Sequence, residues 1–393
     1  ILLFKHTWNT LIILSFEFYN TYTLKNTLLF IFLIGFLACK NEAKQRIDSE
    51  EKIVLTKFKH AKGFSITEYQ DFKVLNIKNP WPKAEKEYNY ALVHQNMLSK
   101  ITLNPDEFDG IITIPVQQIV VTSTTHIPAL ELLNTEQTLV GFPGTDYISS
   151  EKTRERIDNG NVRELGKNEG INTEVLLELN PDVVVGFGID GNNKTFETIK
   201  KSGIPVIYNG DWVEDSPLAK AEWIKFFGVL YDMEKEADSI FNQIENDYLE
   251  AKEVALKVNK RPTVLSGAMH KDVWYLPNGT SPEAQLLKDA NVNYLWSETT
   301  GSGSLALSFE SVFEKGKNAD LWLSPSYYSS LEALEKANEH YTKFDAFKNK
   351  NIFTFVNTTG TTGGVLYYEL GTARPDLVLK DLIKICHPEL LED

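Results

Sequence analysis

The apolar positions between residues 216 and 258 recur at steps of three and four, the spacing that lines one face of a helix. These positions are Phe226, Phe227, Leu230, Met233, Ala237, Ile240, Phe241, Ile244, Tyr248, Ala251 and Val254. Ser216 and Pro217 suit the cap and first turn. A continuous helix would be roughly 60 Å long at about 1.5 Å per residue, which predicts structure at both ends. A break near Gly228 or Asp232 would leave two helices in series.

Short apolar runs alternate with helical patterns on both sides of this segment, which is typical of parallel α/β sheets. Before it, we predict strands at 119–122, 138–142, 182–187 and 205–208, and helices at 127–134, 173–179 and 194–201. After it, we predict strands at 263–266, 273–276, 293–296, 320–323 and 351–356, and helices at 282–289, 309–314, 330–337 and 375–386. The predicted fold class is therefore α/β, with two similar lobes of mainly parallel sheet joined by one long connecting helix.

The two lobes share a short internal repeat. In the first lobe, Glu174 opens a predicted helix that leads to Asp182 and a buried strand. In the second lobe, Glu310 opens a helix that leads to Asp320 and another buried strand. The repeat occurs once in each lobe, which indicates two similar halves and excludes a solenoid.

The domain boundaries follow from these patterns. Residues 53–110 carry strand patterns at 72–77 and 91–94, which we interpret as an amino-terminal sheet extension. The remaining boundaries assign the N-lobe to 111–215, the connecting helix to 216–260 and the C-lobe to 261–393.

The amino terminus carries an export pattern. Residues 28–38 form an apolar run of signal-peptide length that is too short to span a bilayer. The run ends at Cys39, and the pattern resembles the bacterial lipoprotein signal, in which cleavage before the cysteine leaves its thiol to carry lipid. We therefore interpret 1–39 as upstream residues and signal, with 1–23 as translated upstream sequence, and 40–52 as a polar tether. The expected location is the periplasmic side of a bacterial membrane.

The composition and net charge of the chain argue against several classes of function. The 393 residues include 42% hydrophobic residues, which is enough for two cores. The net charge of -14 argues against nucleic acid as a partner, because phosphate binding needs a basic face. With only two cysteines, Cys39 and Cys386, the chain builds neither a disulfide framework nor a thiolate metal site.

Several blocks in order carry a family resemblance. They are residues 119–123, 172–174, 180–182, 202–206, the long helix, 308–312 and 374–379. With the cysteine ahead of them, the chain resembles the substrate-binding lipoproteins of ABC importers that carry cobalamin, ferric siderophores or haem, the class III periplasmic binding proteins with a helical backbone. This resemblance implies a monomeric carrier without enzymatic activity or cofactor, which holds its ligand between two lobes, closes little on binding and delivers the ligand to an ABC permease.

The resemblance also implies a glutamate on each lobe that meets arginines of the permease. Glu174 and Glu310 occupy those motif positions. The helix dipole alone favours a carboxylate at a helix start by a few tenths to about 1 kcal/mol, which explains each residue separately. Their equivalent places in two halves favour the docking interpretation.

Ligands of parallel α/β lobes lie beyond the carboxyl ends of the strands. The candidates there are His126, Tyr147, Phe187 and Trp212 in the N-lobe, and His270, Trp274, Tyr327, Tyr328 and Asn357 in the C-lobe. Such an aromatic set suits a large, rigid, partly apolar ligand. Trp274 and Tyr275 alternate along one strand, so one of them faces the core and the other the cleft. Arg374 is either a carboxylate clamp or part of the first turn of the last helix.

The resemblance does not identify the cargo among cobalamin, ferric siderophores and haem. Cobalamin carriers have a tryptophan where this chain has Phe187, and another in the loop that here reads Gly301-Ser302-Gly303-Ser304. We therefore expect a ferric siderophore or related iron chelate, with cobalamin or haem as alternatives.

Two further functions compete with this one. Gly186, Gly188 and Gly191 form a GxGxxG run after a strand, with Asp211 beyond it, which is the pattern of an NAD-dependent oxidoreductase. A zinc or manganese carrier would use His126, with His270 and an acid completing the three or four ligands of a closed site. The chain has no GxSxG elbow and no HExxH helix, so nucleophilic catalysis has no support.

Overall fold

The described part of the chain begins with a five-stranded sheet. The structure, a computed structural model, describes residues 54–56, 58–191, 193–301 and 303–391, so the predicted signal and Cys39 lie outside the described residues. The strands are β1 (Val54–Thr56), β2 (Phe64–Glu68), β3 (Lys73–Ile77), β4 (Tyr88–His94) and β5 (Gly110–Ile114). They lie in sequence order and pair antiparallel, except for the parallel pair β4–β5. The strands predicted at 72–77 and 91–94 are confirmed.

A parallel sheet covered by helices forms the N-lobe. Its elements are β6 (Ile119–Val121), α1 (Ile127–Leu132), β7 (Leu139–Phe142), α2 (Glu151–Asp158), β8 (Arg163–Glu164), β9 (Gly166–Lys167), β10 (Gly170–Ile171), α3 (Thr173–Leu179), β11 (Val183–Phe187), α4 (Lys194–Lys201) and β12 (Val206–Asn209). The strand order is β12-β11-β6-β7-β8, and β9 and β10 pair separately. The central strands are apolar throughout because helices cover both faces of the sheet.

Three helices in series connect the lobes: α5 (Pro217–Ala221), α6 (Ile224–Leu230) and α7 (Glu234–Ala255). The prediction of one continuous helix over 216–258 is therefore wrong. The alternative of two helices in series is correct for the break before α7 but missed the break between α5 and α6. Asp232 has φ 58°, a left-handed conformation that a right-handed helix does not continue through. The main connecting helix, α7, has 22 residues and is roughly 33 Å long.

Close packing of α6 on α7 predicts a stability effect at Gly228. A Cβ at this position would lie 2.6 Å from the Cβ of Ala237 on α7, so the two helices approach through the missing side chain. We expect Gly228→Ala to lower the free energy of unfolding by about 1–3 kcal/mol, as overpacking does. Gly170→Ala is the matched control, because nothing lies within 4 Å of its Cβ. Equal urea midpoints for the two variants would contradict the prediction.

The C-lobe repeats the plan of the N-lobe. Its elements are β13 (Thr263–Ser266), β14 (Ala268–His270), β15 (Val273–Pro277), α8 (Pro282–Asp289), β16 (Asn293–Tyr294), β17 (Ser304–Leu307), α9 (Phe309–Gly316), β18 (Leu321–Leu323), α10 (Leu331–Ala337), α11 (Asp345–Lys348), β19 (Ile352–Phe353), α12 (Leu366–Leu370) and α13 (Pro375–Cys386). The parallel sheet has the order β16-β13-β18-β19, and β14, β15 and β17 form a separate antiparallel sheet.

The two parallel sheets have the same strand order once β8, an edge strand of the N-lobe sheet without a counterpart in the C-lobe sheet, is left out of the count. Numbered in this way from the first strand of each lobe, both follow the order 2-1-3-4. The aspartate that precedes the third strand also has the same role in both lobes. Asp182 accepts the amides of Gln117 and Gln118 at 2.8 and 2.9 Å, and Asp320 accepts the amide and hydroxyl of Thr263, both at 2.8 Å. The predicted fold class of two similar α/β lobes is confirmed.

Helix α7 belongs to both cores. Its first half places Ala237 and Phe241 in the N-lobe core, and its second half places Tyr248 and Ala255 in the C-lobe core. The hydroxyl of Tyr248 donates to Asp289 at 2.7 Å, which fastens the helix to α8. The two lobes therefore share one helix as a packing element. No helix in the described ranges is long and apolar enough to cross a membrane.

The amino-terminal extension is fastened to the helices that connect the lobes. Backbone amides of residues 59–61 donate to the buried carboxylate of Glu222 at 2.7 to 3.0 Å. Amides of residues 62–63 donate to Glu214, which also accepts the indole N–H of Trp223. Lys59 and His60 both contact Glu245 on α7. The extension therefore braces the connection as well as covering the N-lobe core.

Candidate functional site

The carboxyl edge of the N-lobe sheet carries an aromatic pair. Phe187 at the end of β11 and Trp212 after β12 have ring centroids 5.6 Å apart. The hydroxyl oxygen of Thr122, which follows β6, accepts the amide of Phe187 at 2.8 Å and fixes the end of the strand. The indole nitrogen of Trp212 is buried without a hydrogen-bond partner among the described residues. Tyr147, after β7, is 72% exposed. These three aromatic residues stay candidates for ligand contact.

His126 lies in the core, so the prediction that it faces the cleft is wrong. Its ring is fully buried at the start of α1 and packs 5.6 Å from the ring of Phe227. Burial lowers its pKa to about 3, so the imidazole is neutral. The described residues contain no group of three or more His, Cys, Asp or Glu side chains placed to hold a metal ion. His270 is exposed at the end of β14. The geometry gives the zinc-carrier alternative no support.

Trp274 is also a core residue, which corrects its prediction as a ligand contact. Its ring is fully buried and stacks on Trp322 at 5.4 Å, and its indole N–H donates to the carbonyl of Ser266 at 2.9 Å. Alternation along β15 turns the neighbouring Tyr275 outward, where it is partly exposed.

A cluster of aromatic residues occupies the carboxyl edge of the C-lobe sheet. Tyr327, after β18, is 69% exposed and lies 6.0 Å from the ring of Tyr368 on α12. Tyr368 also packs 5.2 Å from Phe355, which follows β19. Tyr328 is half-buried beside Tyr341, a core residue. Sequence reasoning missed Tyr368 because α12 was not predicted; the signal available was the aromatic pair in Val365-Leu366-Tyr367-Tyr368. It missed Phe355 because it placed this residue inside a strand predicted at 351–356, whereas β19 ends at Phe353.

Arg374 is paired with Asp376, which favours the first-turn alternative over a carboxylate clamp for the ligand. Its Nε and Nη2 donate to the two oxygens of Asp376 at 2.9 and 2.7 Å. Hydrogen bonding to this buried carboxylate raises the pKa of Arg374. The guanidinium therefore fastens the start of α13, the alternative that the sequence had left open. Asn357 is exposed in the segment that follows β19.

Residues 354–374, here called the strap, run from β19 to α13 and reach the N-lobe. Glu369 in the strap is 2% exposed. Its carboxylate accepts the amides of Ser149 and Ser150 at 2.6 and 2.9 Å, at the start of α2. Burial raises the pKa of Glu369 to about 7 against the opposing effect of these two amides. The hydroxyl of Thr362 donates to the carbonyl of Asp146 at 2.8 Å. The strap therefore joins the carboxyl edges of both lobes.

A small cavity remains where the lobes and the connecting helices meet. It has a volume of about 20 Å³. Its walls include Thr125, Asp211 and Phe227, together with Thr372 and Ala373 of the strap. Burial raises the pKa of Asp211 to about 6, and the hydroxyl of Thr125 donates to its carboxylate at 3.1 Å. The cavity has room for about one water molecule, whereas small-molecule sites usually enclose several hundred Å³.

The GxGxxG run does not form a phosphate cradle, which corrects the dinucleotide interpretation. A Cβ at Gly186 would lie 2.7 Å from the ring of Phe196, and Cβ atoms at Gly188 and Gly191 would touch Trp81. The glycines therefore make room for aromatic side chains. The acid expected on a ribose, Asp211, is buried.

Glu174 and Glu310 occupy equivalent positions in the two lobes. Each is exposed in the first turn of the helix that precedes the third strand of its sheet. The caps are also alike: the side chains of Asn172 and Ser308 each accept an amide of the first turn. Permease contact through these residues stays a prediction.

The two lobes have similar topology, carry aromatic residues at their carboxyl edges and share one helix between their cores. These features are typical of two-lobed α/β ligand-binding proteins. Residues 119–357 match the family described as periplasmic binding protein. The chain belongs to that family, whose members are substrate-binding transport proteins.

Individual relatives agree with this assignment. An uncharacterized lipoprotein of Methanocaldococcus jannaschii is 27% identical over 371 residues, covering 89% of this chain and 86% of its own. A possible iron-binding periplasmic solute-binding protein of Staphylococcus epidermidis superposes with a TM-score of 0.54 at 20% identity, covering 70% of this chain and 99% of its own. The periplasmic haem-binding protein RhuT of Roseiflexus gives a TM-score of 0.52 at 17% identity, covering 68% and 99%. The two solved structures show that the fold is shared.

Proposed function

We propose that this protein is the lipid-anchored substrate-binding protein of an ABC importer and that it captures a ferric siderophore or related iron chelate between its lobes. The aromatic groups at the two carboxyl edges carry this proposal: Phe187 with Trp212 on the N-lobe, and Tyr327 with Tyr368 on the C-lobe. Flat rings with N–H and O–H donors suit a bulky chelate that is partly apolar. The similar structures described as iron-binding and haem-binding support this class of cargo.

Anchoring and delivery complete the proposal. Cys39 carries the lipid, in line with the lipoprotein from Methanocaldococcus jannaschii that resembles this chain. Glu174 and Glu310 are the contacts for the permease, since both are exposed at equivalent places in the two lobes.

Ligand titration tests the proposed cargo. We expect a ferric hydroxamate chelate to bind the purified protein and to quench its tryptophan fluorescence, since Trp212 lies at the proposed site. Trp212→Ala should weaken binding roughly tenfold, the loss of about 1–2 kcal/mol that is usual for a buried aromatic contact. Leu249→Ala, a partly exposed site on α7, is the control and should bind like the wild type.

Native mass spectrometry with ultraviolet and visible absorbance identifies the cargo of the protein as isolated. A corrin or haem absorbance spectrum would show that the cargo is cobalamin or haem and not an iron chelate. The proposed carrier function would be unchanged. A colourless protein that holds zinc and binds none of these ligands would refute the proposed function.

A further inference from the structure

Among the described residues of the C-lobe, the strap is the one segment that is hydrogen-bonded across to the carboxyl edge of the N-lobe through a buried charge. It leaves the C-lobe sheet at β19 and returns to the C-lobe core through Leu379 and Ile383 of α13. Between these ends, α12 lies against α1 and against the 3-10 turn Thr124–His126 of the N-lobe. The strap therefore crosses from one carboxyl edge to the other and back.

The strongest contact of the strap is at the start of α2. The first amides of a helix have no partner within the helix, and the helix dipole favours a negative charge beside them. The carboxylate of Glu369 accepts the amides of Ser149 and of the N-cap Ser150, which immediately precede the first turn of α2, and so places a negative charge beside the start of the helix. The hydroxyl of Ser150 is engaged separately with Glu131, and it also accepts the amide of Thr153. Glu369 is thus a specific partner for this helix from the other lobe.

Two further contacts hold the part of the strap around residues 360–362. The hydroxyl of Thr362 donates to the carbonyl of Asp146. A Cβ at Gly360 would lie 2.6 Å from the Cα of Ser149, so the two backbones touch directly. Residues 360–369 are therefore fixed to the N-lobe along their length and not at a single point.

The strap crosses the space between the two carboxyl edges, where the cargo is proposed to bind. The cavity that it lines with Thr372 and Ala373 has a volume of about 20 Å³, room for about one water molecule. Tyr368 lies on the strap itself, so movement of the strap also moves part of the aromatic group at the C-lobe edge.

We propose that the strap is an intramolecular gate, held shut across the carboxyl edges by Glu369 and Thr362, and that the cargo enters only when these contacts open. This inference rests on the proposed function for the identity of the cargo, whereas the contacts that hold the gate do not depend on it. A closed gate lowers the apparent affinity by the fraction of molecules that are open, so weakening the gate tightens binding.

Hydrogen exchange of the ligand-free protein tests the gate directly. In Glu369→Ala, we expect amides of residues 358–368 to exchange roughly tenfold faster, while those of the C-lobe sheet keep their wild-type rates. The amides of Ser149 and Ser150 are left out of the comparison because they lose their acceptor in any case. Thr362→Ala should have a smaller effect of the same kind. Thr361→Ala is its matched control, since Thr361 is the exposed neighbour.

Ligand titration then tests the consequence of opening. The probes are hemin and a ferric hydroxamate chelate, and for whichever binds the wild type, Glu369→Ala should bind roughly tenfold tighter. Unchanged exchange in residues 358–368 would overturn the gate. Faster exchange with weaker binding would also overturn it, because the closed strap would then be part of the ligand surface. If neither probe binds either protein, the proposed iron-chelate function fails, and exchange alone decides whether the strap opens.

Discussion

Reversing the charge of Glu174 and Glu310 together is expected to abolish uptake while the affinity for ligand stays within about twofold of wild type. Both carboxylates are exposed, and neither residue is one of the aromatic residues at the carboxyl edges that we propose to contact the ligand. Lysines at these positions would repel the arginines that the family resemblance places on the permease, and like charges brought together at an interface cost several kcal/mol. A loss of that size reduces the occupancy of the permease more than a hundredfold.

The matched control for this variant is a second pair of first-turn carboxylates. Glu283 on α8 and Glu332 on α10 are also exposed near the starts of their helices. Glu283→Lys with Glu332→Lys changes the net charge by the same amount and likewise places two lysines in the first turns of helices. Uptake of labelled ligand by cells that carry each pair is the measurement. Normal uptake with the Glu174 and Glu310 pair, or equal loss with the control pair, would refute the docking proposal.

Removing the carboxylate of Glu222 is expected to lower the free energy of unfolding by about 3–5 kcal/mol, the usual cost of breaking a buried charged network. Glu222 is fully buried and accepts the amides of Lys59, His60 and Ala61, while Lys225 lies 3.1 Å from it. Glu222→Ala leaves these donors without their acceptor. Urea unfolding measures the change, with Glu236→Ala on the exposed side of α7 as the control. A loss below about 1 kcal/mol would contradict the role of Glu222 as a brace.

The lowered pKa of Glu222 also predicts that the stability of the protein depends on pH. Burial acts to raise its pKa, but the three amides and Lys225 together lower it below its ordinary value of 4.5. A group whose pKa is lower in the folded protein stabilises it above the unfolded pKa, and this contribution is lost as the pH falls through the folded value. In acid below about pH 4.5, the wild type should therefore lose more stability than Glu222→Ala.

Local signals were enough to predict many of the helices and strands. Helices at 173–179, 194–201, 282–289 and 375–386 have the predicted bounds, because caps and apolar spacing specify them within a few residues. The antiparallel sheet of β14, β15 and β17 was not foreseen. Although β14 and β15 form a short hairpin, β17 pairs with β15 across a long segment, from Trp274 to Leu307. The break at Asp232 was visible only as an alternative, because a non-glycine residue with positive φ has no strong local signal.

The site was predicted less well than the fold, because side-chain burial depends on distant partners. Sequence reasoning placed Trp274 and His126 beyond the carboxyl ends of strands, whereas Trp274 lies within β15, and it could not show that the cores of the two lobes enclose both side chains. The sequence did not show that Arg374 is paired with Asp376. The burial of that carboxylate, only two residues away, follows from the packing of the whole last helix. Tyr147 and Tyr327 are exposed at the predicted edges, and their contact with ligand stays a prediction.

The helix shared by both cores also sets the order in which an exported chain can fold as it emerges from its amino-terminal end. The first half of α7 completes the N-lobe core before any strand of the C-lobe has emerged. Its second half then presents Tyr248, Ala251 and Ala255 to water until the following residues cover them. A chain truncated near residue 260 should therefore leave this apolar surface of α7 uncovered and be prone to associate through it.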